Sequence, residues 1–239
     1  MFHPKGPSFF ELVEQALSST ERGYDLLAPK FDYTPFRTPD AILEVVAPHI
    51  GARGSVGSAL DVCCGTGAAM PMLYPLCRDF IVGVDSSCGM LREAGQRLTA
   101  VQGSAAIQLV RADALAMPFQ RRFDLATCFS ALGHILSSDQ ERFVTSVGRA
   151  LKPGGRFVFV TSVMPPFWSQ RYWFSCAFNA AMRVRNVLLS PPFIMYYLTF
   201  LLPEVRQLLE RCGFSVDVRE RLFQEPYQQG RLVIATLVG

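Results

Sequence analysis

Three aspartates, two glycines and one histidine are the residues of this chain whose types and spacing could do chemistry together. Asp61 closes the apolar run Ala59-Leu60 and leads into Val62-Cys63-Cys64-Gly65-Thr66-Gly67. Asp85 closes Phe80-Ile81-Val82-Gly83-Val84, and Asp113 follows the run from Ile107 to Val110. Acids at three successive strand ends can hold a cationic amino group, the hydroxyls of a ribose and the amino group of an adenine. Gly65 and Gly67 have no Cβ, so their loop can take positive φ and bring backbone N–H groups close to a ligand. His134, in Phe129-Ser130-Ala131-Leu132-Gly133-His134, is the side chain best placed to act as a base near neutral pH. An adenosyl cofactor is the ligand this set suggests.

Two adenosyl ligands use a glycine-rich first βα turn, and the flanks distinguish them. A dinucleotide fingerprint needs a third glycine for close helix packing and places a pyrophosphate on the helix N-terminus. This chain reads Gly65-Thr66-Gly67-Ala68-Ala69-Met70, so the third glycine is missing. S-adenosylmethionine (SAM) carries an ammonium and a sulfonium instead of phosphates, and an acid at Asp61 suits those charges where it would repel a pyrophosphate. An acid some 20 residues further on, Asp85, fits the ribose of either cofactor.

In order along the chain, these motifs resemble the class I SAM-dependent methyltransferases, in particular the small-molecule group that includes the ubiquinone and menaquinone methyltransferases. Residues 59–67 are similar to that family's glycine motif, except that Cys63 stands where the family more often has glycine. Asp85 resembles its ribose-binding acid, and Asp113 with Ala114 its adenine-contacting pair. Phe123-Asp124-Leu125-Ala126-Thr127-Cys128-Phe129 resembles its fourth strand, and Ala150-Leu151-Lys152-Pro153-Gly154-Gly155 the turn into its fifth. Upstream, Tyr24-Asp25-Leu26-Leu27-Ala28 and Phe31-Asp32-Tyr33 resemble a Y-D-x-x-A-x-x-Y-D segment that closes over the cofactor. The resemblance implies methyl transfer from SAM, with S-adenosylhomocysteine as product, to O, N or C of a small lipophilic or aromatic acceptor. It assigns the cofactor to Tyr24, Asp61, Cys63, Gly65, Gly67, Asp85, Ser86, Met90, Asp113, Ala114 and Phe129. The acceptor is expected at Tyr33, Ser130, His134, Trp168 and Trp173, with His134 catalytic and no metal.

The elements that must position these residues follow from hydrophobic pattern. Strands are expected near 56–62, 80–85, 107–111, 123–129, 156–162, 214–219 and 231–237, with helices near 8–18, 39–49, 68–76, 88–101, 139–150 and 203–212. Strands alternating with helices imply an α/β, Rossmann-like, mostly parallel sheet of seven strands covered on both faces. Four segments are expected: an N-terminal helical cap at 1–50, a SAM-binding core at 51–162, a helical, apolar and aromatic substrate-side lid insert after the fifth strand at 163–202, and a C-terminal helix and strands completing the core at 203–239.

The 239 residues are 50% hydrophobic and 18% charged with a net charge of +3, which describes a globular chain and gives no basic stripe for nucleic acid. The N-terminal residues show no basic and apolar signal pattern, so a cytoplasmic location is expected, with peripheral contact to a membrane as an addition. Seven scattered cysteines without a C-x-x-C pair are expected reduced and mostly buried.

Residues 163–202 break the alternation. They hold Trp168, Trp173, Arg171, Arg183 and Arg185 but no acid, and the apolar run Phe193–Leu202 is too short to span a bilayer. The segment reads as a lid over a lipophilic acceptor, a surface touching anionic lipid, or a packing or dimer element.

Ser190-Pro191-Pro192-Phe193 matches the signature of enzymes that methylate nucleic-acid amines, yet it lies in this insert instead of directly after the fourth strand. A nucleic-acid or protein acceptor, and a SAM-binding module without catalysis, are the alternatives kept. A short-chain dehydrogenase is disfavoured because no tyrosine has a lysine four positions later.

Overall fold

The computed structural model describes residues 3–99 and 105–239. Seven strands, β1 (Val56–Val62), β2 (Cys77–Asp85), β3 (Ala106–Arg111), β4 (Phe123–Cys128), β5 (Leu151–Ser162), β6 (Phe214–Arg219) and β7 (Gly230–Leu237), form one sheet in the order β3-β2-β1-β4-β5-β7-β6. β1 to β5 pair in parallel, and β7 runs antiparallel between β5 and β6. The strand order reverses between β1 and β4, where carboxyl ends of neighbouring strands open a crevice.

The helices are α1 (Phe9–Leu17), α2 (Thr20–Leu27), α3 (Asp40–Ile50), α4 (Met70–Leu73), α5 (Cys88–Leu98), α6 (Gln140–Ala150), α7 (Gln170–Leu188) and α8 (Glu204–Arg211). All of β1 is buried. Its side chains alternate: Ala59 packs with Leu43, Val46 and Ile50 of α3, whereas Leu60 and Val62 pack with Phe143 and Val147 of α6 and Val205 and Leu209 of α8. That two-faced burial is why the central strands read as continuous apolar runs.

Several boundaries differ from the sequence expectation; β2, for one, begins at Cys77 instead of 80. The helix expected over 68–76 shortens to α4 followed by a 3-10 turn at Tyr74–Leu76, with Pro71 and Pro75 in the first turns of these short pieces. β5 begins at Leu151, five residues before its apolar run, because Leu151 already pairs with Phe123. α5 starts at Cys88 as expected, but positions 100 and 101 of that expected helix lie outside the described residues.

The cysteines are all free; Cys64, Cys77 and Cys128 are buried, Cys63, Cys176 and Cys212 half-buried and Cys88 exposed, so fewer are buried than expected. Among the described residues no helix is long and apolar enough to cross a membrane.

Two elements build over the sheet's carboxyl edge. α2 and the 3-10 turn Ala28–Tyr33 are bound to the core by two aspartates. Asp25 accepts from the Ser87 hydroxyl at 2.6 Å and the Gly89 N–H at 2.7 Å; Asp32 accepts from the Thr66 hydroxyl at 2.7 Å and pairs with Arg97. From the other side, α7 and the extended chain after it leave and rejoin the sheet at one place, the parallel bridge between Val163 and Leu202.

Candidate active site

The loop after β1 turns through three left-handed residues, Cys63 (φ 56°), Gly65 (φ 53°) and Gly67 (φ 77°). This aims its backbone toward β2, where both oxygens of Asp85 are used. Gly65 N–H donates to one and Ser87 N–H to the other, each at 2.9 Å. After β3, Asp113 caps a short 3-10 turn by accepting from Leu115 N–H at 2.9 Å.

These loops enclose a cavity of about 230 Å³. It brings together eleven of the expected residues: Tyr24, Cys63, Gly65, Asp85, Ser86, Met90, Asp113, Ala114, Phe129, Ser130 and His134. Phe31, Phe36 and Thr38 of the N-terminal region, and Ala112 and Leu115 beside Asp113, join the lining. Phe31 belongs to the Tyr24–Tyr33 motif; the others carry no motif of their own that assigns them to a site.

Asp61 lies beneath the cavity instead of in its wall. Its carboxyl is 2% exposed and accepts from the Thr127 hydroxyl at 2.9 Å. Burial pushes it up to about 7, the nearby Asp85 charge adding to the rise and the Thr127 bond opposing it. Asp85 is raised as well, by burial, against the pull of its backbone donors. Two carboxyls held in apolar surroundings without a cation form a site of negative potential. Among the described residues no lysine or arginine lines the cavity. A ligand with phosphates would meet carboxyls and no cationic partner there; one with an ammonium and a sulfonium meets the charge it needs. The donor set therefore fits SAM.

A second cavity of about 570 Å³ adjoins the first, sharing Tyr24, Phe36, Thr38, Phe129, Ser130 and His134 in its wall. Elsewhere it is lined by Ile42, Leu132, Val160, Met195, Tyr196 and Phe223, with Arg171 and Phe174 at its edge. Its wall is mostly apolar and aromatic, interrupted by ten hydroxyl side chains, the Gln229 amide, the His134 imidazole and that one guanidinium.

The two cavities meet at a hydrogen-bonded chain. His134 Nδ1 lies against the carbonyl of Ile194, which can only accept, so Nδ1 carries the proton. Nε2 is then the lone-pair nitrogen, and the Tyr24 hydroxyl donates to it at 2.8 Å. Burial lowers the His134 pKa, the Ile194 bond partly opposing, and the imidazole is neutral. Burial, with Asp85 nearby, raises that of Tyr24, which keeps its proton.

Three expected acceptor contacts fall elsewhere. Tyr33 stacks on His3 with ring centroids 4.9 Å apart, and Trp168 and Trp173 are 75% and 63% exposed; none lines either cavity. The cause for Trp173 is the helical phase of α7, which turns it outward and leaves Phe174 at the cavity edge. Gly67 also stands outside the wall, packed behind the loop near Leu98 and Ala94 of α5.

The family described as a methyltransferase domain matches residues 59–155. A demethylmenaquinone methyltransferase of Staphylococcus aureus is 30% identical over 227 residues, covering 89% of this chain and 88% of the relative. The chain belongs to the class I SAM-dependent methyltransferases. Solved structures agree on the fold. The DhpI complex with S-adenosylhomocysteine superposes with a TM-score of 0.65 at 19% identity, covering 97% of this chain and 99% of that one. An O-methyltransferase family protein from Burkholderia thailandensis gives 0.66 at 15%, covering 99% and 66%. This methyltransferase uses SAM as its cofactor and transfers its methyl group.

Proposed function

We propose that this methyltransferase acts on a small, lipophilic or aromatic acceptor bearing an acidic proton, held in the second cavity. The observation that carries this reading is the Tyr24–His134 chain at the junction of an acidic cavity with an apolar one. In our assignment Asp85 and Ser86 hold the ribose, Asp113 and Ala114 the adenine, and Gly65 the amino-acid end, with Asp61 acting on it by charge from beneath the wall; Met90, Cys63 and Phe129 complete the wall. When bound, SAM supplies an electrophilic methyl group with its own leaving group. The segments divide as a cap (1–50), a cofactor core (51–162), an acceptor-side insert (163–202) and a C-terminal completion (203–239).

The chain's own residues then have three tasks. Walls of Phe36, Phe129 and Tyr196 exclude water from the transfer point. The Ile194 carbonyl holds the imidazole in one tautomer and orientation. His134 Nε2 takes the acceptor's proton, directly once Tyr24 moves aside or through the Tyr24 hydroxyl, which gives up its proton to Nε2 as it receives another.

His134→Gln is expected to lower kcat by about 10²-fold or more while leaving SAM affinity within about twofold. In the parent enzyme the acid limb of kcat/KM should lie below the ordinary histidine value of 6.5, because burial depresses the imidazole and activity is lost only once it protonates. A panel of phenols, quinols and amines assayed with methyl-labelled SAM tests the acceptor class, and the relatives' name puts demethylmenaquinone first in it. Methylation of oligonucleotides or proteins with no small molecule accepted would overturn the reading. We place the reaction at, and not across, a lipid surface, since an apolar acceptor of this kind partitions into bilayers.

A further inference from the structure

α1 is built inside out. Its one buried residue is Gln15, while Phe10, Val13 and Leu17, spaced as a single helical stripe, are 81%, 37% and 55% exposed. α7 repeats this over a longer span. Ser175 is its one buried residue, and Trp173, Val184 and Val187, on one face with Ala177 and Ala180 between them, stand open to solvent. Helices that bury a polar side chain and present an apolar stripe are poised for a non-aqueous partner.

The two stripes belong to one region of the surface. Arg185 near the end of α7 donates to the carbonyls of Ala16 and Ser18 at 2.8 Å and of Pro191 at 2.7 Å. Phe10, Val13, Leu17 and Pro191 line one shallow, open depression. At the other end of α7, exposed Phe167 and Trp168 lead to Arg171 and Phe174 at the edge of the second cavity.

Charge selects the occupant. Residues 163–202 contain three arginines and neither Asp nor Glu. Arg185 is spent on backbone carbonyls; Arg171 and Arg183 form no ion pair among the described residues. On α1, Glu11 is paired with Lys30 at 2.6 Å, and Glu14 shares its depression with Arg22. An apolar face with a cationic fringe repels a second copy of itself and attracts an anionic headgroup layer. No described helix can cross a bilayer, so the face lies in the interfacial plane.

We infer that α1 and α7 dock this methyltransferase on an anionic lipid surface, and that the acceptor enters the second cavity past Arg171 and Phe174 directly from the acyl layer. The entry route rests on the second cavity being the acceptor site; the docking does not.

The test is co-sedimentation of the full chain with vesicles of phosphatidylcholine alone and of equimolar phosphatidylcholine and phosphatidylglycerol. Binding to the mixed vesicles should be at least about tenfold stronger and should weaken with added salt. Phe10→Ser with Val187→Ser, both outside the cavities, should reduce it at least about tenfold, with SAM binding by calorimetry unchanged as the check on folding. Arg183→Glu should erase much of the preference for the anionic vesicles. Absence of binding to mixed vesicles at low salt, or equal binding by the double variant, overturns the docking. So does a dimer, seen by light scattering, that the double variant splits without any vesicle binding. Methyl transfer to a water-soluble acceptor, run in parallel, separates the two ideas: transfer without vesicle binding defeats the docking alone, and vesicle binding with no small acceptor methylated defeats only the acceptor assignment.

Discussion

In the proposed site, Asp61 is the residue that ties protonation to ligand binding. Its carboxyl stands near 7 in the free protein against 3.8 for an ordinary aspartate, so between those values the folded chain holds a proton that the unfolded chain has released. Stability of the free protein must therefore fall as pH rises through that window, with Asp85 acting in the same direction. Binding of an ammonium needs the ionised form, so SAM affinity should rise from about pH 5 to about pH 8 with release of a proton, measurable by calorimetry in buffers of different ionisation enthalpy. Asp61→Asn should stabilise the free chain at about pH 8 and weaken SAM binding at least about tenfold. Cys63 makes a second prediction. A residue with a Cβ at φ 56° is strained by roughly 1–2 kcal/mol, part of which glycine's greater unfolded-state freedom offsets. Cys63→Gly should raise the urea midpoint by an amount worth about 0.5–1 kcal/mol. Both residues were legible in the sequence as members of the loop, but their condition was not: pattern places an acid at a strand end without revealing that it is buried against the Thr127 hydroxyl. The Tyr24–His134 contact was equally hidden. It joins residues 110 positions apart, each named from its own motif, and neither motif points to the other.

The elements over the cofactor cavity are held by close approach more than by apolar area. α5 begins under α2, and a Cβ added at Gly89 would come within 2.9 Å of the Asp25 Cα and carbonyl oxygen. Gly89→Ala should therefore displace α2, lose the Asp25 hydrogen bonds to Ser87 and Gly89, and weaken SAM binding about tenfold or more while the sheet keeps its cooperativity in denaturation. Asp25→Ala, which removes the bonds without the clash, should give the smaller effect, and a reversed order would refute this account of the cap. The parallel strands were legible because burial on both faces leaves uninterrupted Val, Ile, Leu and Phe. α4 was not, since its apolar residues have helical spacing while Pro71 and Pro75 limit it to a single turn. The insert's internal order escaped the sequence reading too. Asn186 holds the returning chain by donating to the Phe193 carbonyl at 3.0 Å and accepting from its N–H at 2.9 Å, Asn179 does the same for Tyr197, and an asparagine inside a helix announces no such partner.

Across the whole molecule, the two halves of the chemistry come from different parts of the chain. Acids and glycines between residues 61 and 113 are fixed by the sheet's switch point, and their order was readable because each follows its own strand. The apolar cavity is assembled from α3, the β4 and β5 ends, the insert and the segment before β7, and contacts so distant in sequence leave no local pattern. This is why the cofactor could be inferred from residue order while the cavity proposed for the acceptor could not. The bridge between Val163 and Leu202 adds a last consequence. A segment that departs and returns at neighbouring points is portable: a relative's loop of matching span, grafted between those two residues, leaves the sheet's register undisturbed. Such a chimera should retain calorimetric affinity for SAM while adopting the donor enzyme's choice of acceptor, and repeated exchange at this one junction would let a lineage diversify its products without rebuilding its engine.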